Sequence, residues 1–356
     1  MGTSGNFNYI IRLTPVGTYF LGGEITFGEG DGKQNYYVRS NKLPQVSTLL
    51  GVVRYEVLRQ NNLLGNNKKN ENDIRKAIGE KGFDMSRNLD YGIIQKISPL
   101  FIENKSKNIY YTPLPLDYGI DVVKNENISC SAFSGSKFNY AMKAENYDPK
   151  NYDNFRYWIG TDKGKIKDED IFYTKEQIGI TKEGREINDN EAFYKLVTVG
   201  LKPEYNFVFL LTTSEKLNDY SGMVYMGGNR SVFKMDLFCL NPKGKDSNNT
   251  DSNETECNEN ENYFCDKFKF LRKKGRFLLL GDAFLENEKL SNIPFFWAQS
   301  ICNRYIVTKY NEKVSWGKPK KTKQLFRLLG RGGVIYSEEK PSCDEYLTKV
   351  GLNIFI

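Results

Sequence analysis

The sequence predicts an α+β fold. Across its 356 residues, short apolar segments rich in Tyr, Phe and β-branched residues outnumber the segments with helical spacing. Aromatic residues make up 14% of the chain, with 23 Tyr and 23 Phe, and such side chains favour strands. Helices and strands do not alternate regularly, so we expect sheets with a few helices and not a doubly wound parallel sheet.

Charge and residue types narrow the possible chemistry. The chain carries 51 basic and 44 acidic residues, and its formal charge of +7 is compatible with an anionic partner. It contains no His, which excludes a His general base and any Ser-His or Cys-His nucleophile. Its six cysteines form no CxxC pair that would indicate a zinc site. We therefore expect no catalytic residues, no metal and no cofactor.

The chain shows no membrane or export signal. No segment approaches the run of about 18 apolar residues that a membrane span needs, and the start lacks a basic segment followed by an apolar one. We expect a soluble, cytoplasmic protein.

Two aromatic strands and one regular helix open the N-terminal half. Residues 8–28 read NYIIRLTPVGTYFLGGEITFG, and the pair Gly22 and Gly23 predicts a turn between two strands. Further along, apolar residues recur at helical spacing behind Ser47. Ser47 is therefore the expected N-cap of a helix that runs to about Gln60.

The start of this helix is a candidate anion site. Its free amides and its dipole attract phosphate, and Ser47 and Thr48 can add hydroxyl hydrogen bonds. Gly51 keeps the helix surface low so that a backbone can approach, and Arg54 is expected on roughly the same face. An ordinary capped core helix would show the same pattern, so this segment alone does not decide the function.

A domain boundary is expected near Gly200. Residues 61–87 are polar and predict a loop-rich insertion, whereas residues 171–201 predict two strands joined by a projecting polar hairpin. Residues 205–213 then form a continuous apolar strand that opens a second domain. Residues 241–262 contain almost no apolar side chain, so we expect a mobile loop there.

A turn and a basic run are the anion-binding candidates of the C-terminal half. The turn lies between two strands, where its amides suit an anion, and it consists of Gly227, Gly228, Asn229 and Arg230. The basic run leads into a glycine-rich loop and consists of Lys318, Lys320, Lys321, Lys323, Arg327, Gly330, Arg331, Gly332 and Gly333. A solvated basic face would not need three flexible glycines, which favours binding to a phosphate backbone. The spacing matches neither a Walker A motif nor GxGxxG, so no nucleotide cofactor is expected.

Together these motifs resemble a family of CRISPR-associated RAMP proteins. The family is the type III-B, or Cmr-type, effector subunit that caps the 5′ handle of the guide RNA. The matching segments recur in the family's order over most of the chain, and they are TPVGTYFLGGEITFG, LPQVSTLLGVVRYEVL, NIYYTPLPLDYG, EQIGI, VYMGGNRSVF and LFRLLGRGGVIY.

The resemblance implies a fold and a role. The fold would be two ferredoxin-like, RRM-type RAMP domains, residues 1–200 and 201–356, with the loop 241–262 inside the second. The role would be that of a non-catalytic structural subunit in antiviral defence. Its partners would be the 5′ handle of the crRNA, the large polymerase/cyclase subunit and the repeating RAMP backbone subunit, with target RNA contacted only indirectly and no membrane.

The RNA-binding residues expected from the motifs and the resemblance lie in four groups. They are Ser47, Thr48, Gly51 and Arg54; Gly227, Gly228, Asn229 and Arg230; Lys320, Lys321, Lys323 and Arg327; and Gly330, Arg331, Gly332 and Gly333. Two alternatives stay open. One is the handle-binding subunit of a type III-A complex, and the other is a His-free RAMP endoribonuclease that processes precursor crRNA with Tyr and Lys.

Overall fold

An antiparallel sheet of nine strands organises the computed structural model of the chain. The structure describes residues 6–22, 37–65, 71–80, 82–125, 130–131, 137–138, 141–145, 147–180, 193–227, 229–240, 263–291, 293–303, 306–307, 320–321 and 325–356.

The first sixteen strands extend to residue 239. They are β1 (Phe7–Pro15), β2 (Tyr37–Arg39), β3 (Ile94–Ile97), β4 (Phe101–Asn104), β5 (Ile109–Pro113), β6 (Asp121–Asn125), β7 (Cys130–Ser131), β8 (Lys137–Phe138), β9 (Ala141–Glu145), β10 (Tyr157–Gly160), β11 (Lys165–Lys167), β12 (Phe172–Ile180), β13 (Phe193–Leu201), β14 (Tyr205–Thr213), β15 (Tyr220–Met226) and β16 (Ser231–Cys239).

Shorter strands follow, and the helices are few. The remaining strands are β17 (Arg276–Leu278), β18 (Phe295–Trp297), β19 (Ser300–Asn303), β20 (Ile306–Val307), β21 (Lys320–Lys321), β22 (Phe326–Leu329) and β23 (Val334–Tyr336). The α-helices are α1 (Val46–Gln60), α2 (Glu71–Ile78), α3 (Asp168–Ile171), α4 (Tyr263–Lys267), α5 (Asn287–Ser291) and α6 (Glu345–Thr348), and there are 3₁₀ turns at Asn154–Arg156 and Lys269–Leu271. Among the described residues, no helix has the length and apolar character needed to cross a membrane.

The large sheet has the order β11-β10-β5-β4-β14-β1-β16-β15, and β3 also pairs with β14. Every one of the nine residues of β14 is buried, as expected for a continuous apolar strand. Strand β1 lies between β14 and β16, so Ile11 pairs with Phe209 on one side and with Leu237 on the other. The antiparallel sheet and the small helical content confirm a mixed fold of strands and helices.

The two faces of the sheet are covered by different parts of the chain. Residues alternate across a strand, so Ile11 of β1 packs in the same core as Val53 of α1, whereas Ile10 packs in a second core with Phe264 and Phe268. Helix α1 packs on one face of the sheet in the first core, and the segment around α4 packs on the other face in the second core. The apolar periods of β1 and α1 thus bring both elements into one core.

The expected boundary near Gly200 does not separate two sheets. Gly200 lies within β13. Strand β13 pairs with β12, from Phe172 opposite Leu201 to Ile180 opposite Phe193, and the two strands form the predicted hairpin. The next strand, β14, joins β1 from the start of the chain. Strands from both halves therefore share one sheet, and the two-domain division stays a prediction. Residues 181–192 and 241–262 lie outside the described residues.

Two local predictions were wrong. Helix α1 begins at Val46, its N-cap is Gln45 with no side-chain cap hydrogen bond, and the amides of Thr48 and Leu49 bond to the Gln45 carbonyl at 2.9 and 3.1 Å. Val46 is buried, so core packing starts the helix ahead of Ser47, which is the better capping residue locally. The segment 61–87, predicted without a helix, contains α2, whose Ala77 and Ile78 are buried in the same core as α1.

Candidate nucleic-acid interface

A cavity of about 490 Å³ joins the start of α1 to the glycine-rich loop. On one side it is lined by the residues that lead into α1, from Arg39 to Gln45, and on the other by Gly330 and Arg331. Strand β19 contributes a third wall, and Phe155, Tyr157 and Trp158 add aromatic rings. The fold therefore brings together two motifs that are far apart in the sequence.

Most charges inside this cavity are paired. The Lys42 ammonium binds the Asp168 carboxylate, which also accepts a 2.6 Å hydrogen bond from the Trp158 indole nitrogen. Arg331 is paired with Asp282. Arg39 is exposed and forms no ion pair with any described residue. Arg39 is therefore the cation in this wall that is free to meet an anionic ligand.

Arg331 is held by the protein itself. Its guanidinium donates to both Asp282 oxygens at 3.2 and 3.1 Å and to the Leu100 carbonyl at 3.2 Å, and its side chain is only 7% exposed. Its backbone amide also bonds to Asp282, at 3.0 Å. The role of Arg331 in this conformation is to fix the loop in place next to the cavity.

The glycines of the loop serve close packing. The amides of Gly330, Gly332 and Gly333 bond to the carbonyls of Gln299, Leu279 and Gly330 at 2.7, 2.8 and 3.1 Å. A Cβ at Gly333 would lie 2.6 Å from the Ala298 Cβ, and Gly332 has a φ of +82°. The sequence argument expected these amides to be available to phosphate, whereas all four amides from residue 330 to 333 are bonded within the chain.

The start of α1 is accessible, but Arg54 is not. Ser47 and Thr48 are half-buried, Gly51 is exposed, and no atom lies within 4 Å of a Cβ built on Gly51. Tyr55 is 48% exposed on this same helical face, one turn after Gly51. A backbone therefore has room to approach Gly51, and the role of this helix start as an RNA site stays a prediction.

Arg54 instead fastens the loop that follows α2. Its guanidinium donates to the carbonyls of Glu80 and Gly82 at 2.5 and 2.6 Å and stands 5.6 Å from the centre of the Tyr91 ring. Burial lowers the pKa of Arg54 to about 10. The expectation that Arg54 shares the exposed face of Gly51 was wrong, because the adjacent loop supplies carbonyls that turn the side chain inward.

Gly227 lies against Phe20, two residues before Gly22. Gly227 has a φ of +76°, and a Cβ there would collide with the Phe20 carbonyl oxygen, while the Phe20 amide donates to the Ser231 hydroxyl at 3.0 Å. Asn229 and Arg230 are exposed at this turn. Gly23 and Gly228 lie outside the described residues. The turn thus presents one free cation beside the segment that contains Gly22.

The basic run is described only in part. Lys320 and Lys321 form β21, which pairs with β20, and Lys318 and Lys323 lie outside the described residues. Arg327 is exposed on β22 and pairs with Cys302 of β19, the strand that lines the cavity. Arg327 is therefore one strand away from the cavity wall.

Sequence reasoning missed several residues of the cavity. Asn303 is 6% exposed, lines the cavity, and its side-chain oxygen has no hydrogen-bond partner. Nothing in the local sequence marks that residue, because its burial depends on distant strands. Arg39 could have been found, since it ends β2, the strand that precedes the signature helix. Within the described part of the chain, no cluster of three or more Cys, Asp or Glu could hold a metal ion.

The sequence decides the family. Residues 11–340 match the family described as CRISPR-associated protein (Cas_Cmr3). The chain belongs to this family. The resemblance of its motifs to a Cmr-type CRISPR subunit is thereby confirmed.

Solved structures and curated proteins add little to this assignment. One similar chain comes from a cryo-EM structure of the type III-B Cmr-beta bound to cognate target RNA; it has 14% identity and a TM-score of 0.48, with 98% of this chain and 96% of that chain covered. A second, from the Cmr-beta bound to cognate target RNA and AMPPnP, has 13% identity and a TM-score of 0.45, with 92% and 86% covered. No curated protein matches the chain.

Proposed function

We propose that this chain is a non-catalytic RNA-binding subunit of a type III-B CRISPR effector complex. It binds the 5′ handle of the crRNA and bridges the large polymerase/cyclase subunit to the repeating backbone subunits. The observation that carries the proposal is the cavity in which the start of α1 and the glycine-rich loop face each other. Family membership supports the CRISPR context.

The surface around the cavity has the groups that a ribonucleotide chain requires. Arg39 in the cavity wall, Arg327 one strand away and Arg230 at the turn after β15 are exposed cations for phosphates. Phosphate contacts position an RNA and supply much of its affinity. Asn303 lines the cavity with a buried, unpartnered side-chain oxygen, so a base that reached this oxygen would remove the cost of leaving it unpaired. In this proposal the RNA-binding groups predicted from the sequence act with Arg39 and Asn303.

The proposal assigns different parts to the predicted residues. Ser47, Thr48 and Gly51 offer an open helix start for the handle. Gly330, Arg331, Gly332 and Gly333 shape the opposite wall, and Lys320, Lys321 and Lys323 would supply further positive charge for the RNA backbone. Arg54 holds the loop behind α1. A second contact with the RNA is assigned to the turn of Gly227, Gly228, Asn229 and Arg230.

The architecture in this proposal is a pair of ferredoxin-like RAMP domains, residues 1–200 and 201–356. This architecture is supported by the antiparallel sheet, which contains β1 and has α1 packed on one face. We place the subunit in the cytoplasm, with target RNA contacted only through the rest of the complex.

Catalysis is not part of the proposed role. The chain has no His, so an endoribonuclease mechanism would depend on Tyr and Lys. Burial raises the pKa of Tyr91 and of Tyr111 to about 12, further from neutrality than an unperturbed tyrosine. Such side chains are poor general bases near pH 7.

The test is reconstitution of the complex with guide RNA and the variants Arg39→Glu and Arg327→Glu. Each should weaken guide binding and reduce its salt dependence, by a slope of about 0.7 for every phosphate of single-stranded RNA that the variant no longer neutralises. Arg75→Glu is the matched control, since Arg75 is exposed on α2 and does not line the cavity. Unchanged guide binding in both cavity variants would refute the proposal.

Sequencing of the copurified RNA separates the alternatives. Guides with an intact 5′ handle, recovered with type III-B neighbours, agree with the proposal. Recovery with type III-A neighbours would move the chain to that complex, and RNA cut at one repeat position by the purified chain would identify a processing enzyme.

A further inference from the structure

We infer that an aromatic cluster beside the cavity is a stacking platform for single-stranded RNA as it leaves the cavity. The cluster consists of Tyr147, Tyr152, Phe155 and Trp297, and no motif of the sequence analysis includes it. This inference rests on the proposed function, because it requires that RNA occupies the cavity.

The rings form a continuous group. Tyr152 stacks on Trp297 with a centroid distance of 5.1 Å and an interplanar angle of 27°. Tyr147 meets Trp297 edge-on at 5.0 Å, and Phe155 lies 6.2 Å from Tyr152. Tyr147 is 40% exposed and Phe155 is 45% exposed, so both keep ring surface available to a ligand.

The cluster is fixed to the cavity wall. The Tyr152 hydroxyl donates to the Leu116 carbonyl at 3.0 Å, and the Leu116 amide donates to the Gly332 carbonyl at 2.9 Å. Trp297 pairs with Val334 directly after the glycine-rich loop. Phe155 and Leu116 themselves line the cavity. A chain that leaves the cavity past Phe155 therefore meets the cluster directly, because Phe155 belongs to both.

The chemistry of the cluster fits nucleobases. It consists of flat aromatic rings, and base stacking on such rings tolerates any sequence. The Arg156 guanidinium stands 5.5 Å from the Phe155 ring centre, where it can pair with a phosphate next to a stacked base. The nearby Asp148 carboxylate accepts hydrogen bonds from the Lys150 amide and the Asn151 side chain at 2.9 and 2.6 Å, which lowers its repulsion of a phosphate.

The experiment uses the assembled complex with a guide RNA that contains 4-thiouridine. Irradiation should cross-link the RNA to Tyr147 or Phe155, as identified by mass spectrometry of the attached peptides. Tyr147→Leu and Phe155→Leu each remove a ring while keeping an apolar side chain, and each should weaken guide binding about fivefold or more.

Phe238→Leu is the matched control. Phe238 is 42% exposed, lies near the end of β16 remote from the turn at Gly227, and does not line the cavity. This variant should bind guide RNA as the wild type does.

The outcomes distinguish the inference from the proposed function. If the wild-type complex holds no guide RNA, the proposed function fails. If the guide binds through Arg39 but neither cross-links form nor the ring variants weaken binding, the platform is refuted while the handle site stands. Loss of a neighbouring subunit from the ring variants, with RNA affinity unchanged, would assign the cluster to a protein interface and would also overturn the inference.

Discussion

A buried ion pair next to the cavity is expected to contribute strongly to the stability of the fold. Arg276 donates two hydrogen bonds of 2.5 Å to the Asp117 carboxylate, and the two side chains are 4% and 1% exposed. The Tyr336 hydroxyl donates a third bond of 2.5 Å to Asp117. The Arg276 guanidinium also reaches the Leu271 carbonyl at 2.9 Å. The pair thus joins β17, β23 and the turn after β5.

Replacement of Arg276 by Met should be severely destabilising. The substitution leaves the Asp117 carboxylate buried without its cation, and the loss of one partner of such a pair costs about 3–5 kcal/mol. Whole proteins are stable by about 5–15 kcal/mol, so this loss would remove a large part of the free energy of unfolding. Tyr336→Phe removes a hydrogen bond to a charged group and should cost less, about 1.5–3 kcal/mol.

Urea unfolding followed by tryptophan fluorescence measures these differences. With an m value of about 3 kcal/mol/M, Arg276→Met should lower the midpoint by about 1–2 M. The combined variant Asp117→Leu, Arg276→Met and Tyr336→Phe leaves no buried charge and should recover much of the loss. A midpoint of Arg276→Met within about 0.3 M of the wild type would refute the reasoning, because a desolvated carboxylate cannot lose its partner at so small a cost.

Three further predictions follow from single contacts. Gly333→Ala should destabilise the chain by about 1–3 kcal/mol in urea unfolding, because its Cβ would lie 2.6 Å from that of Ala298. Tyr91 has a buried hydroxyl without a partner, and burial raises its pKa from 10.0 to about 12. The stability of the fold should therefore be unaffected by Tyr91 ionisation below pH 10 and should fall as the pH rises towards 12, because Tyr91 ionises first in the unfolded chain. Tyr91→Phe should be at least as stable as the wild type at pH 7 and should lose less stability over that alkaline range. Arg54→Met leaves two carbonyls of the loop 79–92 without their donor, and limited proteolysis should cut that loop faster while α1 remains helical.

The sequence alone supported the helix of the signature motif, because apolar residues at helical spacing specify a buried face locally. It also supported the buried strand β14 and the hairpin of β12 and β13, because an apolar run of strand length is likewise a local signal. Its motif order also led to the right family, since those segments match over residues 11–340. What these predictions share is that neighbours in the sequence carry the information.

The tertiary structure decided which polar groups are free. Arg54 turned inward because carbonyls of a neighbouring loop lie within its reach, and the glycine-rich loop bonded its own amides to residues 279 and 299. Asn303 became a buried, unpartnered group in the cavity only because β19 and β22 pair there. Hydrophobic periodicity is a local property of the chain, whereas the availability of a hydrogen-bonding group depends on partners distant in sequence. The sequence by itself therefore determined the family and the elements with a regular apolar pattern, whereas folding determined which of their polar side chains are free to meet a ligand.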